Sequence, residues 1–193
     1  KDIKLTSPLN VSDDKYLILN TNGKSISPEN DNLEDLIVNN GKLSITGGGT
    51  LNSGKLDVIY NFGELTIGGN CTFVGESVQN GAISLIYNKG TLNISSGTFD
   101  KDGLAANATI ENVGNNASLV ISGGTFSGCT IINIVGCRKD IIISGGTFVS
   151  DANISNMGNQ YMINIGLDEY GTSSTGKLTI KGGSFSTNGE TGK

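Results

Sequence analysis

The chain has 193 residues, enough for one domain, with 29 glycines, two prolines and neither tryptophan nor histidine. At 36% hydrophobic and 16% charged residues it is too apolar for a disordered chain, and a net charge of -5 without a Lys or Arg cluster argues against nucleic acid or an anionic membrane as partner. No stretch approaches the ~20 apolar residues of a membrane helix, and the lack of histidine removes Ser-His-Asp catalysis, Cys-His catalysis and histidine-completed zinc sites.

Residues 1–41 read as a capping segment. Strands are predicted within Asp2-Ile-Lys-Leu-Thr6, Tyr16-Leu-Ile-Leu-Asn20 and Lys24-Ser-Ile-Ser27, with Pro8 and Pro28 in the breaks, and an acidic run follows from Glu29 to Asp35. From Leu43 the chain repeats one formula: two apolar residues one apart, a turn of Gly and Ser, then Thr or Ser before a large apolar residue. Leu43 to Leu51, Leu65 to Phe73, Leu92 to Phe99, Leu119 to Phe126, Ile141 to Phe148 and Leu178 to Phe185 all follow it. The steps between first residues are 22, 27, 27, 22 and 37, a period that signals stacked repeats. Alternation of apolar and polar residues within each unit is the period of a strand.

A second element precedes most copies, in Ile37-Val-Asn-Asn-Gly41, Ile59-Tyr-Asn-Phe-Gly63, Ile86-Tyr-Asn-Lys-Gly90, Ile110-Glu-Asn-Val-Gly114 and Met162-Ile-Asn-Ile-Gly166. Ile132-Asn-Ile-Val-Gly136 keeps the glycine but has Ile134 in place of Asn. One repeat thus carries about three short strands and cannot bury its apolar side alone, so neighbours must stack. The expected fold is all-β, a single-stranded right-handed parallel β-helix of about seven or eight rungs spaced ~4.8 Å apart. Residues 42–187 would form its body and 188–193 a polar, linker-like tail. Leu51, Phe73, Phe99, Phe126, Phe148 and Phe185 should form one internal column, and Ile45, Ile67, Ile94, Ile121, Ile143 and Ile180 another. Asn39, Asn61, Asn88, Asn112 and Asn164 should line a bend, where an amide can bond freed backbone groups and its neighbours and asparagine tolerates left-handed backbone.

The longer connections, Val74 to Gly81, Asp100 to Ala106 and the insertion Asp151 to Gly176 with Tyr161, Asp168, Glu169 and Tyr170, are where binding would concentrate. Cys71, Cys129 and Cys137 are odd in number and lack CxxC spacing, so they read as small buried residues; a Cys129 to Cys137 bridge stays open. The chain begins at Lys1 and ends in a polar tail, and it reads as a segment of a longer protein.

Leu17-Ile-Leu-Asn-Thr-Asn-Gly-Lys-Ser-Ile26 resembles the opening of β-helix segments in large surface proteins of gut-dwelling Gram-positive bacteria, and the Leu-x-Ile-x-Gly-Gly-Thr-Phe units resemble the repeats that continue them. The resemblance implies an extracellular location, secreted or wall-anchored through other parts of the parent protein. The wider superfamily, the pectin-lyase-like fold, includes polysaccharide lyases, glycoside hydrolases, tailspikes and adhesins, so it does not give the activity.

Enzymes of that fold resemble one another in features this chain lacks or barely suggests. The glycosidase Asp trio with Gly-His-Gly is missing, and only Arg138-Lys139-Asp140 resembles a lyase base, in what reads as a solvated turn. Hydrolysis by two suitably spaced carboxylates stays possible in principle. Asp57, Asp100, Asp102, Asp168 and Glu169 are scattered oxygens without a calcium-loop motif, so no metal or cofactor is expected. The Thr column Thr50, Thr72, Thr98, Thr125, Thr147 and Ser184 should point outward and pack along a ladder. By alternation Val38, Tyr60, Tyr87, Glu111 and Ile163 should also face solvent. Tyr60 and Tyr87 would then stack on neighbouring rungs, either bracing the sheet or offering a platform for sugar rings, with Asp57, Glu64 and Lys89 as the nearest polar partners. The expected function is non-catalytic adhesion or display, the lateral face or inserted loops binding a host or dietary glycan or a host surface or secreted protein. A carbohydrate-active enzyme or its substrate-binding remnant, and a rigid spacer without ligand, are the alternatives.

Overall fold

The computed structural model describes residues 1–30, 33–54, 57–75, 84–101, 108–150, 161–167, 171 and 173–188. The expected loop tips around 76–83 and 102–106, most of the 151–176 insertion with Asp168, Glu169 and Tyr170, and the tail beyond 188 lie outside the described residues.

The chain winds as a right-handed parallel β-helix. Its first face, here the Phe sheet, stacks eight strands from Ile3–Leu5 through Thr72–Gly75 and Thr98–Lys101 to Ser184–Thr187. The Asn sheet stacks seven, from Leu9–Val11 through Asp57–Asn61 and Ile86–Asn88 to Ile163–Gly166. The Leu sheet stacks another seven, from Tyr16–Asn20 through Glu64–Ile67 to Leu178–Ile180. Each turn runs from the Asn sheet to the Leu sheet to the Phe sheet, so among the described residues the coil crosses each face seven or eight times. All named strand pairs are parallel; one isolated antiparallel bridge joins Leu167 to Ser173.

The expected internal columns are present. Phe73 pairs with Leu51 below and Phe99 above, and Phe99, Phe126, Phe148 and Phe185 follow in register. Their rings lie 4.7–4.9 Å apart and within 7° of parallel, because each ring hangs from the same position of strands one spacing apart. Phe73, Phe99, Phe126 and Phe148 are fully buried, whereas Phe185 on the last turn is 39% exposed. Leu43, Leu65, Leu92 and Leu119 form a second column, and Ile45, Ile67, Ile94 and Ile121 a third.

The corner from the Asn sheet to the Leu sheet is tight, and it explains a glycine column. A Cβ on Gly63 would sit 2.0 Å from the carbonyl oxygen of Gly41, and one on Gly90 2.1 Å from that of Gly63. Glycine is needed there for closeness, not for backbone angle. The opposite requirement holds at Gly124, whose φ of +104° favours a residue without a side chain before Thr125-Phe126.

Beside that corner runs the amide ladder. Asn39 Nδ2 donates to Asn61 Oδ1 at 2.6 Å, Asn61 to Asn88 at 2.7 Å and Asn88 to Asn112 at 2.6 Å. The same amides also donate to the backbone carbonyls of Glu64, Thr91 and Ser118. These asparagines do not use the left-handed backbone that their residue type tolerates; among the described non-glycine residues only Asn22 does.

Asn164 is not in this ladder. The last strand pairs Ile132 with Ile163 and Asn133 with Asn164, and Asn164 Nδ2 donates to Asn133 Oδ1 at 2.8 Å. Register follows the apolar residues, since matching Ile132 to Ile163 and Ile134 to Ile165 keeps isoleucine over isoleucine, while matching asparagines by motif would turn the whole strand over. Ile163 correspondingly leaves the column expected to face solvent, which continues from Glu111 to Asn133 and Asn164, and Glu111 within it is buried rather than exposed. The amide ladder ends instead at Cys137, whose Sγ accepts from Asn112 Nδ2 at 3.2 Å and donates to the Asn112 carbonyl at 3.0 Å. All three cysteines are free and buried, so Cys129 and Cys137 are not bridged.

The described strands of residues 1–41 stack on the turn that follows. Leu9–Val11 pairs with Asp35–Asn39 and Tyr16–Asn20 with Lys42–Thr46 in the register of the body.

Candidate functional site

Tyr60 and Tyr87 are register partners on the outer side of the Asn sheet, and their rings stack with centroids 4.7 Å apart. A third ring, Phe62, stands two residues after Tyr60 where the strand turns the corner, 4.7 Å from the Tyr60 centroid and 48% exposed. Lys89 occupies the equivalent place one turn on, two residues after Tyr87. Its Nζ lies 5.4 Å from the Tyr87 ring centre and 5.8 Å from those of Tyr60 and Phe62. The cluster is therefore three rings and one ammonium, closer to a cation over an aromatic floor than to two open ring faces.

Two residues expected beside the rings are engaged elsewhere. Glu64 lies past the corner on the Leu sheet, where Lys42 one turn below pairs with it at 3.0 Å. Asp57 starts the strand that carries Tyr60, three residues or ~10 Å away along it, and is 9% exposed. Its Oδ1 accepts the backbone N–H of Ser84 at 2.5 Å. The structure thus unites Tyr60, Tyr87 and Lys89, adds Phe62, and leaves out Asp57 and Glu64.

Asp57 belongs to a second constellation at the corner where the Phe sheet passes into the Asn sheet. Lys101 ends its Phe-sheet strand at 5% exposure, and Glu111, the register partner of Tyr87, is 9% exposed. Burial pushes the Asp57 carboxyl up to about 7, with Asp35 and Glu111 adding to the rise and the Ser84 N–H and Lys101 opposing it. Burial lowers the Lys101 ammonium to about 8, against the pull of Asp57 and Glu111. Burial also raises Glu111, although its Oε2 accepts from Asn133 Nδ2 at 3.0 Å and Lys101 favours its charge. Asp35, paired in register with Asp57, is raised to about 6 by burial and then by Glu34. The connections expected to bind, after Val74, after Asp100 and after Ser150, all depart from this corner.

The remaining candidates disperse. Arg138, Lys139 and Asp140 are exposed, and Asp140 accepts the N–H of Lys177. Asp100 accepts from the Ser127 hydroxyl at 2.8 Å, while Asp102, Asp168 and Glu169 lie outside the described residues. Among the described residues no three His, Cys, Asp or Glu side chains are grouped to hold a metal ion. The Thr column is in register from Thr50 to Ser184.

Phe62 and Lys101 were missed from sequence for different reasons. Phe62 sits just past the alternating strand, where period no longer gives direction, although an aromatic aligned with Asn40 and Lys89 is a usable signal. Lys101 shares the parity of inward Phe99, and an inward lysine is legible only if the strand is followed to its end. Comparison of the chain with family models, with curated proteins and with solved structures gives no match, so its resemblance to bacterial surface β-helices rests on the motifs alone.

Proposed function

We propose that this β-helix is a non-catalytic module of an extracellular bacterial surface protein that binds a glycan or protein through its lateral face. The observation that carries this reading is the Tyr60, Phe62, Tyr87 and Lys89 cluster on the outside of a stiff coil. Rings fixed to hydrogen-bonded strands lose little freedom on binding, so a ligand laid on them incurs a small ordering cost. Aromatic side chains also supply much of the contact energy at such surfaces. A glycan and host-protein array tests it: ligands bound by the wild type should be lost in Tyr60→Ala, Phe62→Ala and Tyr87→Ala. Undiminished binding in all three would rule out this face.

A second reading, a carbohydrate-active enzyme of the pectin-lyase-like kind, is favoured by one feature. Asp57 near 7 beside Lys101 near 8 is a pair able to exchange protons at neutral pH. Its members are each 9% exposed or less, which weighs against substrate contact. Incubation with polygalacturonate and other polysaccharides decides, since new reducing ends or unsaturated products that vanish in Lys101→Met would replace the binding reading with this one.

A further inference from the structure

Beside the ring cluster, the corner between the Asn and Leu sheets opens into a groove of about 510 Å³ lined by Phe62, Lys89, Thr91, Val113, Asn115 and Asn116 together with corner glycines. Four properties of that lining bear on what fits. Phe62 offers nearly half its surface to solvent. Lys89 is exposed, and among the described residues no carboxylate lies within ion-pairing distance of it; its ammonium is held over the three rings. Asn115 and Asn116 are exposed, and among the described residues neither side chain spends a hydrogen bond within the protein. Thr91 adds a hydroxyl, which accepts from Ser118 Oγ at 3.3 Å.

An apolar ring face, one unneutralised cation, and amides with free donors and acceptors are the complement of a sugar bearing one negative charge. The pyranose C–H face suits Phe62, hydroxyls suit the amides, and a carboxylate suits Lys89. The charge balance limits the ligand further. A chain of net charge -5 repels an extended polyanion laid along it, whereas one carboxylate placed on Lys89 lies within the ~8 Å over which charges are felt at physiological salt.

We infer that this groove binds a terminal glycan residue carrying a single carboxylate, a sialic or uronic acid, with its carboxylate at Lys89 and its apolar face on Phe62. The inference rests on the lateral-face reading above and names its ligand class.

The test is titration, by calorimetry or saturation-transfer NMR, with 3′-sialyllactose against lactose, and with a glucuronic-acid-terminated disaccharide against its methyl ester. At least one acid should bind about tenfold or more tightly than its neutral counterpart, and the better of the two names the acid. Lys89→Gln should bring the acid down to the neutral affinity, and Lys89→Arg should retain most of the preference. Lys89→Arg should melt as the wild type does, and Lys89→Gln, which gives up only exposed cation–ring contacts, should melt within about 4 °C of it. Equal affinity for acid and neutral partner, an unchanged preference in Lys89→Gln, or no binding of any of the four would overturn the inference. Equal affinities lost together in Phe62→Ala would leave the lateral-face reading standing, whereas a silent array as well would remove both.

Discussion

A carboxyl group enclosed by protein holds its proton more tightly than one in water, and Asp57 is the clearest case here. Its folded value near 7 lies above the ordinary 3.8, so the stability it lends is complete below about pH 4 and is lost as pH rises through about 7. Asp35, raised to about 6, acts in the same direction. Lys101 has the opposite sense: lowered to about 8 from 10.5, it favours the fold above about pH 10.5 and loses that contribution as pH falls through about 8. Melting temperature should therefore climb as pH is lowered from 7 toward 4, and Asp57→Asn should flatten the climb. That variant keeps an oxygen for the Ser84 N–H, and at pH 8 it should exceed the wild type by on the order of 1–3 kcal/mol; thermal melts at pH 5 and 8 check this. Cys137 sets a second expectation. Its sulfur accepts the last amide of the Asn ladder, so Cys137→Ala leaves the buried Asn112 donor unpaired and should cost about 1–3 kcal/mol in denaturant unfolding.

At the scale of the element, the Phe column separates a ring with two neighbours from one with a single neighbour. Phe126→Ala removes a buried ring stacked on both faces and should lose about 3–5 kcal/mol, lowering the melting point by roughly 10 °C. Phe185→Ala, on the uncovered last turn, should lose less than half of that. Gly63→Ala forces a methyl against the Gly41 carbonyl and should cost about 2 kcal/mol or more, although it lies in a surface turn. These columns could be read from the sequence because a period of two and a recurring Gly-Gly-Thr-Phe fix both the face and the floor of each residue. Tyr60 and Tyr87 were legible by the same alternation, and Lys89 only as a polar residue close to them in sequence. Asn164 was misplaced because Met162-Ile-Asn-Ile-Gly166 fits two registers, and only burial, which favours isoleucine over isoleucine, chooses between them. The Asp57, Lys101 and Glu111 group was hidden because its members come from three different turns and meet at a corner whose connections follow no repeat.

The whole molecule is a one-dimensional stack, so its length should be adjustable in whole turns and in no smaller unit. Deleting residues 43–64, which is 22 residues and one step of the repeat, joins Lys42 to Leu65 and sets Asn39 over Asn88 with every column continuous. The shortened chain should fold cooperatively with reduced stability, and it should lose ligand binding because Tyr60 and Phe62 go with the deleted turn. Deleting residues 43–53 alone removes one strand from each of two sheets and should leave an aggregating chain; circular dichroism and size-exclusion chromatography distinguish the two outcomes.

The amide ladder also has a direction. Every Nδ2 from Asn39 onward donates toward the C-terminal end, and Asn39 Oδ1 is left without a partner because Val11 lies beneath it. Reversing Asn61 or Asn88 would set donor against donor on one side and acceptor against acceptor on the other, and reversing Asn39 or Asn112 would create one such clash, so the four are locked into a common orientation like links of a ratchet. Their side-chain protons should accordingly trade with deuterated solvent at one shared, slow pace, released by a single collective event.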